Sequence, residues 1–110
     1  MDVRGDKKDF LQTYENLPKG SIKNAVGEII QSLKNDSIVG KHVKHEQIPQ
    51  YYKQRHNVQV LYRVALPQRW RLIYTFQTFV KGEKPKVLLL ELMDHDMYNK
   101  RFGYFKKKSG

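Results

Sequence analysis

Apolar positions along the chain change their period twice. Phe10, Leu11 and Tyr14 recur at helical spacing between Lys7 and Asn16. Leu17-Pro18 closes that pattern, because proline disfavours helix in the residue before it. From Ser21 to Lys34, Ile22, Val26, Ile29, Ile30 and Leu33 fall on one face of a second helix, and the Pro-Lys-Gly joint between the two predicts a helical hairpin. Residues 35 to 57 carry Gly, Pro, Asn and mixed polar residues with little periodicity apart from Ile48-Pro49 and Tyr51-Tyr52. They read as a long basic connection with room for one helical turn.

The period then falls to two. Val58, Val60, Tyr62, Val64 and Leu66 alternate with Gln59, Leu61, Arg63 and Ala65, which predicts a strand with one buried face. Pro67-Gln68-Arg69 reads as a tight hairpin connection to a second, antiparallel strand from Trp70 to Phe76. Lys81 to Pro85 supplies the next turn, and the apolar run Lys86 to Leu92 predicts a central third strand. Asp94 stands where a short last helix would be capped, and Gly103 where it would stop. Residues 1 to 6 show no evident strand. The expected architecture is α+β: an N-terminal helical hairpin packed on a small antiparallel sheet, a three-stranded meander, and a short C-terminal helix. A single domain over residues 1–110 is expected, and the basic tail at about 105–110 is expected to be disordered.

Charge sharpens this picture. The 110 residues hold 21 Lys and Arg against 11 Asp and Glu, a net +10, which points to a polyanionic partner, a solvated basic surface being the competing reading. Between Ser37 and Gly82 the only acid is Glu46, set among eight Lys and Arg, and every charge after Asp96 is positive. With no cysteine there is neither a disulfide nor a thiolate metal site, so a cytoplasmic protein is expected. The N-terminus lacks the apolar core of a signal peptide, and the longest apolar run, Val87 to Leu90, is too short to cross a bilayer, so no membrane association is expected.

The order of elements, the segment Leu61-Tyr-Arg-Val-Ala-Leu-Pro-Gln-Arg-Trp-Arg-Leu-Ile-Tyr74 and the closing Asp94-His-Asp-Met-Tyr98 resemble the RelE/ParE superfamily of type II toxin–antitoxin toxins over roughly residues 7 to 104. The aromatic-Arg-aliphatic-aliphatic-Tyr pattern of Trp70 to Tyr74 is the most specific part. The resemblance implies a sheet cupped against the helical hairpin and, in the RelE-like branch, an endoribonuclease that cuts mRNA in the ribosomal A site without a metal or other cofactor. It also implies a cognate antitoxin as partner, besides mRNA and the ribosome. ParE-like members instead inhibit DNA gyrase without catalysis, and an inactive RNA- or antitoxin-binding protein is a further alternative. The sequence departs from the family pattern in lacking an evident first strand and in carrying Ala65 where a basic residue often stands.

Metal-free RNA cleavage needs a base for the 2′-hydroxyl, a cation for the developing phosphorane charge and an acid for the leaving 5′-oxygen. Arg71, mid-strand, is the first candidate for the cation, since guanidinium meets phosphate in a bidentate fork. It also aligns with the family's catalytic arginine. A surface arginine covering apolar area is the competing reading. Arg63 is expected opposite or diagonal to Arg71, forming a phosphate-binding pair. His95 and Tyr98, three apart and thus on one helical face, match the family's His or Arg and Tyr region, while a helix-start histidine and a core aromatic are the alternatives. Tyr51, Tyr52, Lys53, Arg55 and Arg69 are the expected RNA-binding residues; the aromatic and basic groups interleaved from Tyr51 to Arg55 suit stacking and phosphate contact, with at least one tyrosine expected to pack inward. Asp94, His95 and Asp96 are too close in sequence to surround a metal alone, and no metal site is expected.

Overall fold

The structure, a computed structural model, describes residues 1–77 and 81–103; the expected basic tail lies outside them. The chain opens with strand β1 (Asp2–Gly5), a correction to the sequence reading. Asp6 then caps a π-helical turn (Lys7–Leu11), its carboxylate accepting from Asp9 N at 2.6 Å, and the turn runs into helix α1 (Gln12–Asn16). Leu17 is extended with ψ of 135°, as a residue before proline should be. Helix α2 occupies Ser21–Lys34, the residues its apolar stripe predicted.

The segment from 35 to 57 is more ordered than expected. It contains the short strand β2 (Lys41–Val43), a 3-10 turn (His45–Gln47) and helix α3 (Gln50–His56). Three residues of strand and seven of helix are too few to build a readable period. Their positions are set by tertiary contacts of Val43, Ile48 and Tyr52, all buried. At Gly40, φ is +90° and a Cβ would run into the carbonyl oxygen of Arg63, so only glycine lets the chain pass this close to the sheet.

Strands β3 (Leu61–Ala65), β4 (Arg71–Gln77) and β5 (Lys86–Met93) form the expected meander, with β3 shorter than its alternating pattern. They are the centre of a five-stranded mixed sheet in the order β1-β5-β4-β3-β2, with β1 parallel to β5 and the other pairs antiparallel. The expected single buried face is also corrected, because both faces are covered. Leu72, Tyr74, Val64 and Leu89 pack beneath α1 and α2, whereas Leu61, Ile73, Leu90 and Met93 pack with Tyr52 of α3 and Tyr98 of the last helix, α4 (His95–Phe102). Asp94 caps α4 by accepting from Met97 N at 2.9 Å, and Gly103 closes it with φ of +73°. Among the described residues no helix is long and apolar enough to cross a membrane.

Candidate functional site

The β3–β4 ladder pairs Arg63 with Ile73 and Ala65 with Arg71, which puts both arginines on one sheet face in diagonal positions. Lys41 of β2, paired with Arg63, extends the same row toward the sheet edge and is exposed. This is the face that α4 crosses. Tyr98 of α4, 3% exposed, sits against the arginines: Arg63 Nη1 donates to its hydroxyl at 2.5 Å, and the guanidinium carbons of Arg71 and Arg63 lie 5.2 Å and 6.0 Å from its ring centre. The electron-rich ring offsets part of the repulsion between the two cations. Arg71 also donates to the Trp70 carbonyl at 3.0 Å, and among the described residues it enters no ion pair. Ala65, the ladder partner of Arg71, is exposed.

Arg69 reaches the site by a costly backbone route. Trp70 N donates to the Pro67 carbonyl at 3.3 Å, and the two residues between, Gln68 and Arg69, both have positive φ, 59° and 65°. That is the mirror-image turn that joins twisted hairpins well but normally takes Asn or Gly. Its consequence is that Arg69 Nη2 stands 2.9 Å from Nε2 of His95. Asn99 Nδ2 approaches the same nitrogen at 3.1 Å. Both neighbours are donors, so Nε2 carries the lone pair and the ring proton sits on Nδ1. That Nδ1 is buried without a hydrogen-bond partner.

Arg71, Arg63, Tyr98, His95 and Arg69 are therefore brought together, while the α3 residues stand elsewhere. Tyr52 is the tyrosine that packs inward; at 1% exposure its ring presents no face to a base, and its hydroxyl donates to Glu91 at 2.7 Å. Burial, reinforced by the Glu91 charge, holds this phenol far above its ordinary value. Tyr51 donates to Asp9 at 2.5 Å, and burial with that bond raises its phenol as well. Arg55 pairs with Asp6 at 3.4 Å and Asp9 at 3.5 Å, and Lys53 is half-buried.

Sequence reasoning missed Glu91 and Arg101. Arg101 grips the buried Glu91 with two bonds of 2.9 Å and lays its guanidinium 3.6 Å from the Tyr51 ring centre, tying α4 to β5 and α3. A lone acid inside the apolar run of β5 was the available signal, since a buried carboxylate requires partners.

Fold and site together define a small α+β protein whose mixed sheet presents an arginine pair beneath its last helix. Comparison with models of known protein families, with characterised proteins and with solved structures finds no match.

Proposed function

We propose that the protein is a toxin of the RelE/ParE kind that cleaves mRNA on the ribosome without a metal ion and is restrained by a cognate antitoxin. The observation that carries this reading is the convergence of Arg63 and Arg71 on one sheet face, with the Arg69–His95 pair at its border. Strand β1, lying ahead of the helical hairpin and parallel to the last strand, supports it, because it supplies the first strand usual in the family.

In this reading Arg71 and Arg63 hold the scissile phosphate and stabilise its extra charge in the transition state. The Nε2 lone pair of His95 takes the 2′-hydroxyl proton once Arg69 turns toward a phosphate and Asn99 gives up its contact with the same nitrogen. The 2′-oxygen attacks phosphorus, the bond to the 5′-oxygen breaks, and the Tyr98 hydroxyl, already accepting from Arg63, gives that oxygen its proton. A second reading, a RelE-like protein that binds RNA or antitoxin without cutting, is favoured by the near-complete burial of Tyr98 over the arginines.

Primer extension on mRNA from translation reactions tests the proposal. New ends that appear only with ribosomes and wild-type protein, and vanish with Arg71→Ala, are expected. Intact mRNA from the folded protein would overturn cleavage, and inhibited supercoiling would then direct attention to gyrase.

A further inference from the structure

We propose that the cleft between the Lys7–Leu11 turn and α4 is a subsite for a guanine base of an RNA strand, an inference that rests on the RNA-directed reading above. The cleft encloses about 470 Å³, within the range of small-molecule sites, and is bounded by Lys8, Trp70, Asp96, Met97 and Lys100 over the end of β5. Trp70 is the only tryptophan. Part of it packs against the core beneath α1 and α2, and the rest lines the cleft. Met97, 41% exposed, adds an apolar surface to the cleft wall. An indole and a thioether at one opening suit a flat aromatic ring, which every base offers.

The polar groups select among bases. Asp94 in the same wall is committed to capping α4, whereas Asp96 makes no side-chain hydrogen bond or ion pair among the described residues, and neither do Lys8 and Lys100. Guanine is the RNA base whose pairing edge presents two adjacent N–H donors, and a carboxylate accepts both at once. The lysines at the opening suit the flanking phosphates.

Trp70 fluorescence tests this directly. The full-length protein is titrated with an oligouridine strand carrying one guanine, with plain oligouridine, and with guanosine 5′-monophosphate. Saturable quenching is expected, with the guanine-bearing strand bound at least about tenfold more tightly than oligouridine, as a bidentate base contact provides. Asp96→Asn, at an exposed position, should abolish that margin. Equal affinity for the two strands, or an Asp96→Asn protein that keeps the preference, would overturn the subsite. Tighter binding of the free nucleotide than of the strand would overturn its assignment to RNA. The readout needs no cleavage: loss of guanine preference with cleavage intact removes only the subsite, and guanine-selective binding without cleavage removes only the catalytic proposal.

Discussion

The guanidinium of Arg69 stands 2.9 Å from Nε2 of His95, joining the β3–β4 turn to the first turn of α4. A left-handed arginine, φ of 65°, makes that contact in a turn where glycine would fit with less strain. Stability and function should therefore part at this residue.

Arg69→Gly is expected to raise stability by about 1 kcal/mol, as relief of left-handed strain allows, and to weaken RNA binding. Urea unfolding would show the first effect. The second would appear as a salt dependence of RNA affinity with its slope reduced by about one, the signature of one lost phosphate contact. A destabilised protein with unchanged salt dependence would deny Arg69 this role.

Arg71→Ala should lower the cleavage rate about 10²- to 10³-fold, the usual cost of removing one preorganised donor to a developing charge. Arg71→Lys should recover little, since an ammonium cannot replace the planar fork. Single-turnover cleavage on programmed ribosomes measures both, with circular dichroism confirming the fold.

Tyr98→Phe retains the buried ring and its packing on Phe102, 4.7 Å between centres, but removes the hydroxyl that Arg63 reaches. A loss of about 1 kcal/mol of stability is expected from the missing hydrogen bond. Tyr98→Ala should cost about 3–5 kcal/mol through the cavity it leaves. Cleavage reduced by Tyr98→Phe well beyond the effect of its stability loss would support the proton-donor role.

Glu91→Gln removes the charge that Arg101 and Tyr52 both engage. Breaking one side of a buried pair strands the other, so about 3 kcal/mol of destabilisation is expected. Because Arg101 belongs to α4, hydrogen exchange should rise first in that helix.

Alkaline pH should unfold the protein. Burial pushes the Tyr74 phenol up to about 12 from 10.0, although its bond to the Val39 carbonyl is retained, and Tyr52 is raised further. A raised folded value means that the unfolded chain loses its proton first. Stability is therefore complete below pH 10.0 and declines as pH climbs toward 12. Tyrosinate absorbance followed together with circular dichroism should show these two phenols ionising only as the fold is lost. Tyr74→Phe should flatten the decline.

Local chemistry was legible wherever it had enough residues to repeat. Helix α2 matches its apolar stripe, β3 and β4 their alternation, β5 its apolar run, and Asp94 and Gly103 end α4 as their side chain and its absence dictate. That Arg63 and Arg71 share a sheet face also followed from the strand pattern and the turn between them, because side chains alternate strictly along a ladder, while the structure decides for the diagonal over the directly opposite position. Strands β1 and β2 and helix α3 were not legible. Each spans too few residues to carry a period, and each is held by partners far away in sequence, β1 by β5 and α3 by Glu91 and the acids around Asp6. The division of labour among the cationic and aromatic residues was likewise a tertiary decision. Tyr52 and Arg55 look as suited to RNA as Arg69 does, yet the first is buried on a carboxylate and the second paired with acids. Sequence alone determined the longer helix and the central strands and which of their side chains share a face, since those follow from local periodicity. Which charges neutralise one another and which remain available to a ligand depends on distances across the fold, and only the tertiary structure sets them.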